Sequence, residues 1–473
     1  MQNSLTISEK FFISAATLEG EFISCSQVIE WVKKRNSEVE VCIDLIKFSE
    51  MKEWSLDRDK GRICHQSGGF FSIEGIKVEA SFGPTTCWDQ PIINQPEIGF
   101  LGCIVKEFNG VLYFLVQAKI EPGNVNNIQL SPTLQATRSN YTRKHKGAPP
   151  KFLNYFNGDS KSNILLDQLQ SEQGSRFLKK RNRNIIVQVE DEIGLDDDFQ
   201  WITLGQIKKL LAVDNLVNMD LRTVISGIQF DLLTSSKICQ SGSYDSVING
   251  FGMNLLNFPL DSSNELFSLS ELNTWLIGLK ATNSLMVERV PLAALDKWAF
   301  SDSGISHMDQ LYFDVCWVSV AIENREVSSW NQPIIRPLEI GIVAFIVKKI
   351  NGTYHFLVQA KLEPGNFDIF EFGPTVQCSP GLYKNSLTEL PYLKYVLGAR
   401  QEQIRYRSVQ SEEGGRFYHE QNQHLIIEAD EGFEISTPNE YRWMSFNQLL
   451  YYIQFSNSLN IQARSLISLI NFI

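Results

Sequence analysis

The feature that most constrains the fold of this 473-residue chain is an internal duplication. The segment from Trp88 to Asn124 aligns without a gap with the segment from Trp330 to Asn366, and about 23 of the 37 positions are identical. Further matches recur at a nearly constant offset, among them QSEQGSRF in the first copy and QSEEGGRF in the second. Self-similarity at a fixed spacing over nearly the whole chain indicates two tandem copies of one unit.

The chain length fits this organisation, because a single hydrophobic core rarely extends over so many residues. A stretch rich in serine and glycine covers residues 232–262 and has the composition of a linker. We therefore predict an N-terminal domain over residues 1–235 and a C-terminal domain over residues 236–473, each of ordinary domain size.

Within one copy, the pattern predicts a largely antiparallel sheet with a few flanking helices, an α+β unit. Asn109-Gly110 separates two apolar runs, and Asn351-Gly352 repeats this arrangement; Asn-Gly between such runs is typical of a β-hairpin. The predicted strands are 70–78, 99–105, 111–118 and 185–189, and the predicted helices are 26–35 and 203–211.

Composition and charge exclude several functional classes. The net charge of −11 disfavours a nucleic-acid binder, which needs a basic surface to displace counterions. No run of about 18 apolar residues occurs, so no membrane span is predicted. The N-terminal sequence MQNSLTISEKFF lacks the features of a signal peptide, and we expect a cytoplasmic protein.

Familiar cofactor and metal motifs are also absent from the sequence. It contains no GxGxxG, no GxxxxGK[ST] and no GxSxG. The eight cysteines form no CxxC pair, and the six histidines form no HxH or HxxxH pair. We therefore predict no metal site, and we interpret the paired His65 and His307 as structural or supporting residues.

Three polar side chains share one face at the end of the second hairpin strand. Gln117, Lys119 and Glu121 alternate along QAK-x-EPGN, and the second copy repeats the motif from Gln359. Such a face is either solvated and followed by a turn, or it is the polar floor of a pocket that holds a sugar.

A second candidate segment, residues 132–145, is rich in hydrogen-bond donors and has little apolar periodicity. Arg138 and Tyr141 within it could bind a diphosphate and supply a phenol or a stacking face. The alternative is an ordinary surface loop.

A third candidate segment follows the motif QSEQGSRF. Gly174 permits a tight turn, and a local basic cluster follows it in an otherwise acidic chain. The cluster comprises Arg176, Lys179, Lys180, Arg181 and Arg183. It is either a solvated helix end or salt-bridge network, or an anion site for the phosphates of a nucleotide.

These motifs together give the chain a family resemblance. SPT-x-QATRSNYTR, LQSEQGSRF-x-KKRNRN and the twice-used QAK-x-EPGN resemble the signatures of NDP-hexose 2,3-dehydratases, in order and along nearly the whole sequence. The resemblance implies two tandem Nudix-like repeats in a homodimer, a dTDP-sugar substrate, and neither metal nor redox cofactor. The sequence lacks the Nudix box that binds Mg²⁺, which agrees with that expectation.

The resemblance also implies a reaction. The enzymes of this family remove water from a dTDP-4-keto-6-deoxy sugar, and a separate ketoreductase uses the product. A base removes the C3 proton, the C4 oxygen carries the enolate charge, and the C2 hydroxyl leaves. A positioned acid or base is worth about 10²–10⁴-fold in rate, and an oriented donor to the enolate about 3–4 kcal/mol.

Differences between the copies suggest that the N-terminal site is catalytic and the C-terminal one vestigial or regulatory. Arg138 matches Pro380, Asn140 matches Leu382, and the KKRNR cluster matches HEQNQ. For the first site we predict proton transfer and enolate stabilisation by Tyr141, Lys119 and Glu172. Substrate binding there is assigned to Gln117, Glu121, Thr137, Arg138, Ser139, Asn140, Arg176, Lys180 and Trp88. The second site is assigned Lys361, Tyr383, Arg405, Arg407, Glu412 and Arg416.

Two other functions stay open at this point. One is a hydrolase acting on nucleotide sugars, which would need carboxylate ligands for a metal ion. The other is a non-catalytic tandem protein that binds or senses a nucleotide sugar.

Overall fold

The computed structural model of the protein describes residues 5–142, 149–230, 250–256, 264–323, 327–383 and 390–472. Most of the expected linker over residues 232–262, and His145 in the donor-rich segment, lie outside these ranges. The α-helices, numbered α1 to α10, are Ile7–Ala16, Cys25–Glu38, Arg138–Tyr141, Leu204–Leu210, Met219–Ser226, Gly250–Leu256, Leu269–Thr282, Leu393–Leu397, Phe446–Tyr452 and Ile461–Ser468.

In the part of the chain that the structure describes, twelve strands of the first copy have twelve counterparts in the second. The first set, β1 to β12, is Val41–Leu45, Trp54–Asp57, Arg62–His65, Ser72–Ala80, Cys87–Asn94, Gly99–Phe108, Val111–Ile120, Ile128–Ser131, Leu134–Ala136, Asn163–Ser171, Arg181–Gln188 and Phe199–Thr203. The second set, β13 to β24, is Leu285–Val290, Trp298–Ser301, Gly304–His307, Phe313–Ile322, Ser329–Pro337, Gly341–Ile350, Thr353–Leu362, Phe370–Gly373, Val376–Cys378, Ile404–Ser411, Gln421–Glu428 and Tyr441–Ser445.

Each half is built on a seven-stranded mixed sheet. In the first half the order is β10-β11-β6-β7-β12, with β8 paired to β7 and β9 paired to β6; β11 and β6 are parallel. The second half repeats this order with β22-β23-β18-β19-β24. The structure therefore confirms an α+β unit used twice.

The hairpin prediction is confirmed in both copies. β6 and β7 pair in antiparallel register on either side of Asn109 and Gly110, whose φ angles are 48° and 82°. Asn351 and Gly352 adopt nearly the same angles, 51° and 83°. Positive φ at both positions matches the turn that preserves strand twist, which explains why Asn-Gly occurs there. The observed strands extend two or three residues beyond the predicted ones.

The two halves exchange a strand. β1 of the first copy pairs with β16 of the second, and β13 of the second copy pairs with β4 of the first. Each smaller five-stranded sheet therefore contains four strands from one copy and one from the other. The sequence pattern within one copy cannot predict this exchange, because the backbone of a strand can pair equally well with the equivalent strand of either copy.

A reciprocal contact between loops also joins the halves. The EPGN turn of each copy packs on the QSExGxRF loop of the other: Gly123 N–H donates to Gly414 O at 2.7 Å, and Gly365 N–H donates to Gly174 O at 2.7 Å. A Cβ atom on Gly123 would lie 1.6 Å from Phe417 O. Only glycine permits so close an approach of two backbones. We call residues 172–176 and 412–416 the crossing loops.

Buried arginines fix the strands that lead into the crossing loops. Arg222 on α5 donates to Ser411 O at 2.6 Å, and Arg464 on α10 donates to Ser171 O. Both guanidinium groups are almost fully buried, and each spans from its own helix to the other copy. A buried charge requires such complete hydrogen bonding, so these contacts hold the loops in defined positions.

Among the described residues, no helix is long and apolar enough to cross a membrane.

Candidate active site

A cavity of about 700 Å³ opens at the end of β7 in the first half. Its floor contains Gln117, Lys119 and Glu121, the three side chains that the alternating pattern placed on one face. Because these residues line a cavity, the structure favours the pocket-floor interpretation of this motif over a solvated face.

Hydrogen bonds orient the floor. Lys119 Nζ donates to Gln135 O at 3.1 Å, and Gln135 Nε2 donates to Glu121 Oε1 at 2.7 Å. The Gln135 side-chain oxygen accepts from Ser131 and from Asn218, the N-cap residue of α5. Gln135 of β9 therefore holds Lys119 through its backbone carbonyl and Glu121 through its side-chain amide, on the same side of β7.

An acid–base pair forms the next part of the wall. Glu172 and Lys180 are both buried and are the first and last residues of the loop, residues 172–180, that connects β10 to β11. Asn182 Nδ2 donates to Glu172 Oε1 at 2.7 Å, and Lys180 Nζ donates to Glu97 O. Burial lowers the pKa of Lys180 to about 8, partly opposed by the negative charge of Glu172. Burial raises the pKa of Glu172, while Lys180 acts in the opposite direction.

The second half closes the cavity. Trp330 and Gln332 on β17 line it, together with Glu413, Gly415 and Arg416 of the second crossing loop. Gln332 Nε2 donates to Gly415 O at 2.7 Å, and Trp330 Nε1 donates to Gln332 Oε1 at 2.8 Å. The cavity is therefore a joint product of both copies.

The charges near this wall are unusual for a protein interior. Burial raises the pKa of Glu413 to about 8, opposed by Arg416 and reinforced by Glu121 and Glu172. The pKa of Asp220 on α5 is also raised well above its usual range, by burial first and then by nearby carboxylates. Perturbed acids and bases gathered in one cavity are typical of a catalytic site.

Several buried polar atoms of the wall have no hydrogen-bond partner among the described protein atoms. They include Glu121 Oε2, Glu172 Oε2, Asp220 Oδ1 and Arg416 Nε. Buried polar groups are almost always satisfied in proteins, because an unpaired one costs about 1–3 kcal/mol. Their grouping in one cavity is consistent with a polar ligand, such as a sugar, that supplies the missing partners.

Two basic side chains and one histidine lie toward the rim. Arg35 contacts Asp198 Oδ1 through Nε at 3.0 Å and Nη2 at 2.6 Å, and Lys151 pairs with Asp196. The His65 ring accepts from or donates to Ser67 Oγ at 2.7 Å and packs edge-on against Trp54. All three line the cavity, so His65 belongs to its wall as well as to the small sheet.

The donor-rich segment contributes only in part. Thr137 and Asn140 line the cavity. Ser139 is buried and bonds the Glu97 carboxylate through its N–H at 2.8 Å and its hydroxyl at 2.5 Å. Arg138 is exposed, and Tyr141 packs against Phe100 with ring centres 5.6 Å apart. The predicted phosphate-binding arginine and catalytic tyrosine therefore lie beside the cavity rather than in its wall.

Two expected placements are corrected by the crossing of the halves. Arg176, expected in the first site, stacks over Phe313 of the second copy at 4.2 Å and influences Glu363 and Glu420 there. Arg416, expected in the second site, stacks over Phe71 at 4.3 Å and lines the first-half cavity. The two arginines are exchanged because each crossing loop reaches over the other copy's strand end.

The same exchange applies to tryptophan. Trp330 lines the first-half cavity, whereas Trp88 bonds Gln90 Oε1 at 3.1 Å and packs with the apolar cluster that contains Ile76 and Val78. Sequence reasoning assigned Trp88 to the first site because it assumed that each copy builds its own pocket.

The basic cluster after Gly174 does not converge on one anion. Lys180 enters the cavity wall, Arg181 stacks over Phe367 at 4.1 Å, and Arg183 pairs with Asp167 at 2.6 Å. Each of the three side chains therefore has a different partner in a different part of the molecule. The structure therefore does not support a single phosphate site built from this cluster.

The second half has a counterpart of this site, made from residues equivalent by sequence. Lys361 Nζ lies 3.5 Å from Gln377 O, Gln377 donates to Glu363 at 2.9 Å, and Asn422 donates to Glu412. Tyr383 is half-buried against the second-half core, and burial raises its pKa. Arg405 and Arg407 are exposed on β22, and Arg405 pairs with Glu428, so neither belongs to this counterpart.

The sequence motifs did not identify three residues that are important in the cavity: Gln135, Asp220 and Glu413. Gln135 lies within the quoted motif SPT-x-QATRSNYTR, and a search for buried partners of the floor could have found it. Asp220 follows the helix-capping Asn218, and Glu413 belongs to the second copy. Only the crossing of the halves brings Glu413 to this cavity.

Across the described ranges, no group of three or more His, Cys, Asp or Glu side chains has an arrangement that could hold a metal ion.

Comparison with known proteins adds independent information. A family model described as NDP-hexose 2,3-dehydratase matches residues 25–228 and again residues 269–470. A protein of Saccharopolyspora spinosa, named dTDP-4-dehydro-6-deoxy-alpha-D-glucopyranose 2,3-dehydratase, is 44% identical over 464 residues, covering 98% of this chain and 94% of its own length. Proteins with the same name from Amycolatopsis orientalis and Streptomyces violaceoruber are 38% and 40% identical, over 98% and 93% of this chain and 94% and 95% of their own lengths.

Proposed function

Since this chain belongs to the NDP-hexose 2,3-dehydratase family, we propose that it eliminates water across C2 and C3 of a dTDP-4-keto-6-deoxy-D-glucose. The product is a 3,4-diketo-2,6-dideoxy sugar nucleotide for deoxysugar biosynthesis. The observation that carries the proposal is the acid–base cluster of Lys119, Glu172 and Lys180 in the first-half cavity, of which Glu172 and Lys180 are buried. A ketone substrate needs such groups, because its C3 proton must be removed and its C4 oxygen must be stabilised.

The cavity offers a group for each of these two roles. Glu172 takes the C3 proton. Asn182 holds one of its oxygens, the other has no hydrogen-bond partner within the described ranges, and the raised pKa of the carboxyl group makes it a stronger base. Lys119 places a cation at the floor for the C4 oxygen, where it stabilises the developing enolate. Lys180 lies beside Glu172 and tunes the affinity of that carboxylate for a proton.

The remaining residues of the cavity wall bind the substrate. Gln117, Glu121, Thr137 and Asn140 supply donors and acceptors for the sugar hydroxyls. Arg416 and the rim residues Arg35 and Lys151 are our candidates for the diphosphate. Arginine suits this role because its planar donors match phosphate oxygens in pairs.

Several finer points of the family resemblance stay part of this proposal. They are a Nudix-like fold for each half, a division of the chain near residue 235, a homodimer, a cytoplasmic location and a downstream ketoreductase that captures the product. The sheet with its parallel β11–β6 pair is compatible with the first of these.

Turnover of the sugar nucleotide tests the function directly. Purified protein with dTDP-4-keto-6-deoxyglucose and EDTA should yield a species lighter by one water, or a reduced dideoxy sugar when a ketoreductase is added. Release of a nucleoside phosphate would instead indicate hydrolysis. Binding of the intact sugar nucleotide without any conversion would indicate a sensor protein.

A matched pair of variants locates the reaction. Lys119→Met should lower kcat by about 10²–10³-fold, the loss expected for one donor to an oxyanion. Lys361→Met alters the equivalent residue of the second half and should leave kcat within about twofold. Equal losses in the two variants would contradict a single working site in the first half.

A further inference from the structure

One proton-carrying group of the cavity has no role in the scheme above, and it comes from the other copy. Glu413 lies in the second crossing loop, directly before Gly414 and Gly415. A Cβ atom on Gly414 would lie 2.9 Å from Glu121 Cβ, and one on Gly415 would lie 2.3 Å from Glu413 Oε1 and 3.5 Å from Glu121 Oε1. The Glu413 carboxyl group therefore lies close to Glu121 at the end of β7.

The loop that carries Glu413 is held from several sides. Arg222 donates to Ser411 O at 2.6 Å, His419 N–H donates to Gly123 O at 2.8 Å, and Gln332 donates to Gly415 O at 2.7 Å. These contacts come from three separate elements. A catalytic group needs such support, because proton transfer depends on distances of a few tenths of an ångström.

Glu413 faces both acids and bases. The cations near it are Arg416, in the same crossing loop, and Lys180, on the cavity wall. The carboxyl groups near it are those of Glu121 at the end of β7, Glu172 on the wall and Asp220 on α5. Burial and the carboxylates outweigh the cations, and the pKa of Glu413 rises to about 8. The carboxyl group is consequently protonated in most molecules at neutral pH, as a proton donor must be.

We propose that Glu413 is the general acid that protonates the C2 hydroxyl as it leaves. This inference rests on the proposed function and adds the third group that the reaction needs. It also makes the active site dependent on both copies, since the base and the acid come from different halves of the chain.

The reaction then balances. Glu172 takes the C3 proton, and the C3–H electron pair forms the enolate with its charge on the C4 oxygen. As the C4 carbonyl re-forms, a C2–C3 double bond develops and the C2–O bond breaks. The hydroxyl leaves as water with the proton of Glu413. The enol tautomerises to the 3,4-diketone, and transfer of the proton from Glu172 to Glu413 restores both groups.

The other crossing loop has an amide at the equivalent position. Gln173 stands where Glu413 stands, and it has no acidic proton to donate. The second-half counterpart therefore lacks this acid even though it retains Lys361 and Glu412. The amide also shows that glutamine fits this position of a crossing loop, so Glu413→Gln is a conservative test.

The experiment separates proton removal from loss of water. Wild type, Glu413→Gln and Glu413→Asp are incubated with dTDP-4-keto-6-deoxyglucose in D₂O. Elimination is followed by mass spectrometry, and C3 deuterium in recovered substrate by NMR. Glu413→Gln should lose at least about 100-fold in elimination while still exchanging the C3 proton. Glu413→Asp should recover part of the elimination rate, because it restores an acid with a shorter reach.

Other results would overturn the inference. If exchange and elimination fell together in Glu413→Gln, or if elimination were unchanged, Glu413 would not be the acid. Gln173→Ala is the matched control for damage to a crossing loop, and it should eliminate within a few-fold of wild type. Failure of the wild type itself to release water would contradict the proposed function rather than the role of Glu413.

The pH profile provides a second measurement. In the wild type, the ratio of elimination to C3 exchange should fall as the pH rises through about 8, where Glu413 loses its proton. In Glu413→Gln this fall should be absent. A ratio that does not change with pH in the wild type would contradict the assignment.

Discussion

The first-half cavity and its second-half counterpart are built from equivalent strands and equivalent crossing loops, yet their charges differ. The first contains Lys180, Asp220 and Glu413, and the equivalent positions of the second contain Glu420, Gln462 and Gln173. Burial raises the pKa of Glu412 to about 7, and the largest contribution from a neighbouring charge comes from the carboxylate of Glu420 and raises it further. The pair of Glu172 and Lys180 in the first half is thus replaced by two carboxyl groups in the second.

The motifs that occur in both copies mainly join the two halves. The glycines of EPGN, the QSExGxRF loops and the pair Arg222 and Arg464 occur in both copies and join the halves. Residues that are identical in the two copies therefore include many that hold the two halves together. The acid–base chemistry depends on positions where the copies diverge, in addition to Lys119 and Glu172.

Removal of the equivalent carboxylate from each half should produce the largest difference between the two sites. Glu172→Gln should lower kcat by about 10²–10⁴-fold, because the variant lacks the base that takes the C3 proton. Glu412→Gln should leave kcat within about twofold, since its carboxyl group faces Glu420 and not the first-half cavity. Steady-state turnover of the sugar nucleotide measures both.

Deuterium exchange at C3 adds a control to that pair. Glu172→Gln should lose exchange together with elimination, whereas Glu413→Gln should keep exchange. If Glu412→Gln lost as much activity as Glu172→Gln, both halves would take part in catalysis and the comparison would fail.

A structural substitution should affect the two halves equally. Gly123→Ala and Gly365→Ala each place a Cβ atom 1.6–1.7 Å from a backbone carbonyl oxygen of the other copy. Overpacking of this kind costs about 1–3 kcal/mol, and backbone on both sides limits relief here. Urea unfolding should therefore show losses near the upper end of that range, about 3 kcal/mol, in both variants. A large loss of unfolding free energy in one variant alone would indicate that the two loop contacts between the halves are not equivalent.

Much of this organisation could be predicted from the sequence, and the reason differs for each part. The duplication, the Asn-Gly hairpins and the polar floor of Gln117, Lys119 and Glu121 depend on local pattern, and the structure contains all three. The exchange of Arg176 with Arg416 could not be predicted, because it depends on which copy a loop packs against. Sequence spacing records neighbours along the chain and not the crossing of two similar halves.

Asp220 and Glu413 are two further site residues that the sequence pattern did not predict. Asp220 belongs to none of the quoted motifs, and Glu413 lies in QSEEGGRF at the position where the first copy has Gln173. Each becomes unusual through its surroundings, because burial and nearby carboxylates raise both pKa values. Arg138 and Tyr141 show the converse, since their side chains suggested chemistry but the short helix α3 places them beside the cavity. Residue type suggests a role, and burial decides it.

A smaller asymmetry concerns stability. Lys208 on α4 is buried and donates to Ser468 O at 3.1 Å and Ile470 O at 2.7 Å, at the C-terminal end of α10. The equivalent residue of the second half is Leu450. Burial lowers the pKa of Lys208 to about 7. In the unfolded chain a lysine keeps its proton up to about pH 10.4. Between these two values unfolding takes up a proton, so the contribution of Lys208 to stability should increase as the pH rises.

The variant Lys208→Leu, which copies the second half, removes this dependence. The free energy of unfolding of wild type, minus that of the variant, should rise by about 2 kcal/mol between pH 7 and pH 9. Urea unfolding at several pH values measures the difference, and taking it against the variant cancels the titration of groups common to both proteins. A matched Leu450→Met variant should show no such slope, because it adds no titratable group. A constant difference over this range would mean that Lys208 keeps its proton in the folded protein, held by the carbonyl oxygens at the end of α10.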